Sequence, residues 1–301
     1  MRLRIFVSTA IGVASGLLVW YLLRHFHERA GDFDWTIWAA QDLLARRNSY
    51  DRVLQHYPMP TAFFGLPFVR VPFQIAGGIF YGLSSALMSF GLSRYGYHRL
   101  IVFLAYPYWA GLTAVQWSPM IFASAFFPLL LPAILVKPQI GLPVAITYPN
   151  RRGYVACVVL LALSLLLARR WPISWLANLH DYERFIPLLL IPGPFLVLAL
   201  LRYRDRDARL LFLMAVMPQR WFYDGLVLWL IPKSRREILA TVTVSWFAGI
   251  WRWYHSPQSY DQAGRWMVWF MYLPMLAVVL ARSRHTQSKS EAATVCEATT
   301  S

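Results

Sequence analysis

Asp32 and Asp34, in Gly31-Asp32-Phe33-Asp34-Trp35, follow directly on the first long apolar stretch of the chain, Leu3 to Leu23. A carboxylate held at a membrane face beside an apolar chamber is placed to take a proton from an acceptor hydroxyl, which is general-base work. Both acids are catalytic candidates, with unequal claims. Asp34 precedes a helix predicted to open at Trp35, where Asp is a favoured N-cap contributing about 1 kcal/mol. Asp32 lies one residue too far out for that role unless the helix begins earlier, so it is the preferred base, against the plainer reading of a solvated loop residue.

Two cations in apolar surroundings come next, Lys137 in Val136-Lys137-Pro138-Gln139 and Arg220 in Pro218-Gln219-Arg220-Trp221-Phe222-Tyr223-Asp224. Ionisable groups in such runs face a bundle interior or a watery cavity, and either cation would hold a phosphate there. The alternative for Lys137 is snorkelling to an interface; for Arg220 it is simple neutralisation by Asp224. His25, His27, His180 and His255 lack metal-ligand spacing, and no metal site is expected. Asp181 and Glu183 are able to contact a metal or sugar but read as an ordinary polar loop. Trp171, Trp175, Trp251 and Trp253 read mainly as residues of an interfacial aromatic belt.

The elements that must position these residues are membrane elements. Hydrophobic residues make up 58% and charged residues 14% of the chain, where a soluble domain has about 45–50% and 25%. Leu3–Leu23 has the roughly 20 apolar residues that a helix needs to cross a bilayer. Further apolar runs recur at about 73–93, 100–115, 119–136, 154–168, 185–201, 237–251 and 266–281. The net charge of +15 would point to nucleic acid in a soluble chain. Here the basic residues sit in short loops between apolar runs, so the charge is a topology signal and no nucleic-acid partner is expected. The positive-inside rule puts Arg2/Arg4, Arg94/Arg99, Arg151/Arg152, Arg202–Arg209, Lys233/Arg235/Arg236 and Arg282 in the cytoplasm, together with both termini. Cys157 and Cys296 are too far apart in kind of surroundings to form a structural disulfide, and the first helix reads as a retained signal anchor.

The expected architecture is an all-α polytopic membrane protein. One transmembrane domain covers 1–282, a first external loop covers 24–72, and a disordered cytoplasmic tail covers 283–301. Within the loop, Trp35, Trp38, Ala39 and Leu43 recur at helical spacing, which predicts an amphipathic helix over Asp34 to Arg47 lying in the interface. Residues 61–70 are expected to dip into the membrane. Prolines and polar residues break the runs around 119–149 and 210–231, predicting two re-entrant or discontinuous hairpins beside about eight full crossings.

The order Asp32-Phe33, Ala39-Ala40, Leu43-Leu44, Asn48, Tyr50, then Tyr57-Pro58-Met59-Pro60, Leu66-Pro67-Phe68 and Val71-Pro72, resembles the first external loop of glycosyltransferase family 87. Gln116, Lys137-Pro138 and the group Pro218, Trp221 and Tyr223 resemble later motifs of that family, so the likeness runs from the first helix to about residue 232. The chain departs from it at Val115, where the family has glycine, and in being shorter between Gln116 and Lys137. The resemblance implies a GT-C-like bundle and an integral-membrane, inverting hexosyltransferase such as a mannosyltransferase. It implies a polyprenyl-phosphate-linked sugar as donor, with no separate cofactor, and a lipid or glycan acceptor. It implies Asp32 as base, Lys137 and Arg220 on the donor phosphate, and Tyr57, Gln116, Gln139, Tyr223 and Asp224 around the substrate cavity.

The competing functions are a transporter or lipid flippase, since discontinuous helices also mark transporters, and a noncatalytic membrane subunit with a protein partner, which the reduced length favours.

Overall fold

The computed structural model describes residues 1–52, 55–180, 182–257 and 259–282. The tail at 283–301, with Cys296, and the loop residue Asp181 lie outside the described residues.

All regular structure among the described residues is helical. Helix α1, Arg2–His25, buries Ser8, Gly12, Ser15, Val19 and Leu23, a stripe of mostly small residues at helical spacing. Its large apolar side chains, among them Phe6, Val13, Leu17 and Tyr21, are exposed. Small inside and large outside is the pattern of a helix in lipid, where close backbone approach rather than apolar burial holds neighbours together. Helix α4, Phe73–Leu92, packs along α1 in this way: a methyl group on Gly16 would lie 2.7 Å from the Gly78 carbonyl.

Between them run α2, Phe33–Leu44, and α3, Thr61–Gly65. Helix α2 begins at Phe33, earlier than expected, so Asp34 is within its first turn and is not the cap. The Asp34 carboxylate instead accepts the Ala30 amide at 2.7 Å, closing the turn ahead of the helix. Asp32 takes the capping position without making a side-chain cap. Nor does α2 lie on a surface as an interfacial helix would. Phe33, Thr36, Ile37, Ala39, Ala40 and Asp42 are all buried, because Phe33 stacks on Phe80 and Gly65 of α3 meets the Thr36 carbonyl. Residues 61–70 serve as that packing partner.

The later apolar runs are broken where prolines remove a backbone donor and crowd the preceding turn. After a 3-10 stretch, Tyr97–Leu104, comes α5, Tyr106–Thr113. The 119–149 region is three pieces rather than a two-armed hairpin: α6, Ser118–Ser124, a 3-10 stretch Pro128–Leu135, and α7, Pro138–Thr147. Helix α8, Arg151–Leu167, turns by 95° into α9, Trp171–Asn178. The run at 185–201 is a 3-10 stretch, Gly193–Arg202. The 210–231 region has two arms, α10, Arg206–Val216, and the 3-10 stretch Phe222–Leu230, around an extended turn in which Gln219 bridges to Phe185.

Helix α11, Arg235–Tyr254, opens on a capping box between Ser234 and Glu237. Helices α12, Tyr260–Met267, and α13, Leu273–Ala281, are joined by one π-helical turn into a single rod. Three helices among the described residues, Arg2–His25, Phe73–Tyr95 and Tyr260–Ala281, are long and apolar enough to cross a membrane, or four if the bent α8–α9 pair is one span. Eight uninterrupted crossings are therefore not what the helices present.

Contacts of charged side chains mark the two ends of the bundle, while the hydroxyls of Ser15, Ser85 and Tyr108 meet between them. At one end Arg4 reaches the Phe90 carbonyl, Arg99 the Pro232 carbonyl, and Arg282 both Asp207 and Glu237. The other end holds Asp32.

Candidate functional site

Asp32 owes its place to a turn that only glycine enters without strain. Gly31 has φ +55°, and a methyl group there would lie 2.6 Å from the Ala114 carbonyl. That carbonyl accepts the Asp32 amide at 3.0 Å, fastening the start of α2 to the end of α5. On the α5 side, Val115 has φ +49°, a conformation costly for a β-branched residue. It turns the chain so that Gln116 points inward; the Gln116 amide donates to the Gly111 carbonyl at 2.9 Å. This is the position where the family resemblance called for glycine.

The side chains converge on one oxygen. Tyr57 donates its hydroxyl to Asp32 Oδ2 at 2.9 Å, and Gln116 donates Nε2 to the same atom. Lys137 Nζ lies 3.6 Å from it and also donates to Gln116 Oε1, so the Gln116 amide is held at both ends. No hydrogen bond among the described residues engages Asp32 Oδ1, and the Asp32 side chain keeps 24% of its surface. One oxygen is thus fixed and the other is open, the arrangement a proton acceptor needs.

Lys137 is 3% exposed, so it does not snorkel. Besides Asp32 and Gln116 it faces Asp224 Oδ1 at 3.8 Å and the ring of Tyr223 at 4.7 Å. Asp224 is fully buried and accepts the backbone amide of Arg220 at 3.0 Å. Its carboxylate therefore answers Lys137 rather than the Arg220 guanidinium, which lies over the ring of Tyr182 at 5.1 Å.

Two cavities meet at Asp32 and Arg220. The larger, about 930 Å³, is walled by Tyr106, Trp109, Tyr223, Trp246, Ile250 and Trp253, with Arg252 among them. The smaller, about 310 Å³, includes Tyr57, Lys137, Gln139, Tyr182 and Arg184. Of the expected site residues, Asp32, Tyr57, Lys137, Gln139, Arg220 and Tyr223 line one cavity or both. Gln116 and Asp224 stand behind that wall and act on it through Asp32 and Lys137. Asp34 lines neither.

Burial pushes the Asp34 carboxyl up to about 6, and burial also raises the Tyr57 hydroxyl well above its ordinary value, with the nearby Asp32 charge adding to the rise. Tyr57 is thereby a permanent donor to Asp32. Among the described residues no group of three or more His, Cys, Asp or Glu is arranged to hold a metal ion.

Sequence reasoning missed Arg252 and Tyr182. The signal for Arg252 was present in Trp251-Arg252-Trp253, a cation inside what read as an aromatic belt. Compared with protein-family models, curated proteins and solved structures, the chain matches none.

Proposed function

We propose that this chain is a membrane glycosyltransferase that moves a sugar, mannose or another hexose or pentose, from a polyprenyl-phosphate carrier to a hydroxyl of a lipid or glycan acceptor. The reading rests on one observation above others: a carboxylate with one oxygen immobilised and the other open stands at the junction of two cavities. Two substrates that must meet at one base need that arrangement. The aromatic wall of the larger cavity suits a lipid-borne substrate, and the family 87 resemblance of Asp32, Tyr57, Gln116, Lys137 and Arg220 supports the same chemistry.

Asp32 Oδ1 takes the proton of the acceptor hydroxyl as its oxygen attacks the anomeric carbon. The bond from that carbon to the carrier phosphate oxygen breaks, the electron pair leaves with the phosphate, and the anomeric configuration inverts. Tyr57 and Gln116 keep Asp32 aimed throughout. In this reading the bundle is GT-C-like, with about eight crossings of the cell membrane once broken segments are paired. Both termini are cytoplasmic and Asp32 is at the external face.

Membranes carrying the parent or Asp32→Asn, assayed against a panel of polyprenyl-phospho-sugars, test the reading. Transfer is expected to fall by roughly 10²–10⁴ in the variant, the usual range for a lost general base; equal transfer by both would remove Asp32 from the mechanism. A lipid flippase is the second reading, favoured by the exposed aromatics along the larger cavity. Lipid translocation in vesicles that depends on Arg220, with no sugar transfer, would establish it.

A further inference from the structure

The two cations that the sequence offers for a phosphate are in opposite situations. Lys137 is enclosed: its ammonium has Gln116 Oε1, Asp32 Oδ2 and Asp224 Oδ1 around it and the ring of Tyr223 beneath. Of the three protons an ammonium can donate, one goes to Gln116 Oε1, and the charge is answered by two carboxylate oxygens at 3.6 and 3.8 Å. A phosphate brought to it would stand against two carboxylates, and like charges at such range oppose one another strongly in a buried site.

Arg220 is different. Among the described residues no carboxylate lies within ion-pair distance of its guanidinium, and the same is true of Arg252, which lies over the ring of Trp221 at 5.7 Å. Both line the larger cavity, whose charged residues among those described are Asp32, Arg220 and Arg252. Those three sum to one net positive charge, and the rest of the described wall is largely aromatic and apolar. A planar guanidinium offers paired donors matched to phosphate oxygens.

We propose that the larger cavity is a lipid-phosphate site in which Arg252 and Arg220 receive the phosphate and the wall of Trp109, Trp246, Ile250 and Trp253 receives the first part of the lipid chain, while Lys137 is a positioning residue that holds Asp32 through Gln116. The inference builds on the glycosyltransferase reading but concerns binding, which is measurable without transfer. A phosphate at Arg220 shares the cavity with one carboxylate, that of Asp32, against two guanidinium charges, where Lys137 faces two carboxylates by itself. The charge that collects on the leaving oxygen would then form against fixed donors.

The test is binding of a long-chain polyprenyl monophosphate to the full chain in nanodiscs, followed by tryptophan fluorescence, with inorganic phosphate as the tail-less probe. Arg252→Gln should weaken the lipid-phosphate complex by about tenfold or more, as expected for a lost charged hydrogen bond. Arg252→Lys should recover part of that loss. Lys137→Met should leave lipid-phosphate affinity within about threefold, yet lower the turnover rate and move the pH profile of transfer without raising the donor KM. Inorganic phosphate should compete only weakly.

Unchanged binding in Arg252→Gln, or loss of binding in Lys137→Met with a retained thermal transition, would overturn the proposal. Equal competition by inorganic phosphate would remove the lipid wall from it. If the parent binds lipid phosphate as described but transfers no sugar, the transferase reading falls and the site remains. If the parent transfers sugar but Arg252→Gln has the parental donor KM, the site falls and the reading remains.

Discussion

The two ends of the bundle hold charge clusters of similar make-up that differ in access. At one end Asp207 meets Lys233 at 2.7 Å and Arg282, while Arg282 also meets Glu237 at 2.9 Å and the Ile231 carbonyl. These contacts tie α10, α11 and the end of α13 into one clamp. At the other end Asp32, Lys137 and Asp224 are linked through Gln116 and Tyr57. Each cluster contains a carboxylate oxygen without a hydrogen-bond partner. Asp207 Oδ1 is sealed in a residue 1% exposed, whereas Asp32 belongs to the lining of two cavities. Access to the open oxygen, rather than charge count or burial, separates the cluster that can do chemistry from the one that fastens helices.

The sharpest way to break this contrast is to neutralise one acid at each end. Asp32→Asn should lower sugar transfer by roughly 10²–10⁴ and change stability by under about 1 kcal/mol, since Lys137 keeps Asp224 as a partner. Asp207→Asn leaves Arg282 with Glu237 but removes the one buried charge that both Lys233 and Arg282 contact. It should lower stability by about 2 kcal/mol, the size of a lost charged hydrogen bond, with transfer per folded molecule near the parent. Thermal unfolding in detergent beside a transfer assay reads both. If the two variants behave alike, the distinction between the ends is wrong.

How far the sequence announced each end follows from the range of the interactions. Asp32 was legible because its place after an apolar stretch of spanning length is a local fact, and Lys137 and Arg220 because a charge in an apolar run stands out without any partner being known. The pairing of Gln116 with Asp32 joins residues 84 positions apart, and no local pattern encodes it. The Arg282 clamp was read only as a basic loop, since its carboxylate partners lie 45 and 75 positions away.

Breaks in the apolar runs were visible in part, at Pro138 and Pro218. A hydropathy window averages over Pro119, Pro128 and Pro132, and it hid the three-piece construction around Lys137. The packing of α1 on α4 was legible in Gly12, Gly16, Gly78 and Gly82, spaced by four, a pattern that brings helices close in lipid but went unread. The exclusion of Asp34 from the cap turned on a helix start displaced by two residues, from Trp35 to Phe33, because burial of Phe33 against Phe80 draws the first turn forward.

A matched pair of glycines sharpens the contrast at smaller amplitude. Gly31 at the Asp32 end has φ +55° and Gly96 at the Arg282 end has φ +111°. A methyl group at either meets a neighbour, the Ala114 carbonyl at 2.6 Å or the His98 ring at 2.7 Å. Both alanine variants should lose about 1–2 kcal/mol of stability from backbone strain. Only Gly31→Ala should also lose transfer, by about 10²-fold for a displacement of Asp32 near 1 Å. A comparable loss of transfer in Gly96→Ala would show the ends to be coupled.

The smallest effect separates the two acids with which the chain first attracts notice. Burial raises the Asp34 carboxyl from an ordinary value of 3.8 to about 6. The folded chain therefore binds a proton there over a range where the unfolded chain has released it, so stability falls as pH rises from about 4 to 6 and stays lower above. Asp34→Asn removes that dependence and keeps a carbonyl oxygen for the Ala30 amide. The variant should unfold about 1–2 °C higher than the parent at pH 7.5, a figure held small because the Asn amide is itself a polar group in the same buried place, and at the parental temperature at pH 4. Its transfer rate should be parental at every pH, because Asp34 faces the turn before α2 and lines neither cavity. A transfer defect in Asp34→Asn as deep as that of Asp32→Asn would mean that the pair acts as one unit, and that the open Oδ1 of Asp32 is not the distinguishing feature of this end of the bundle.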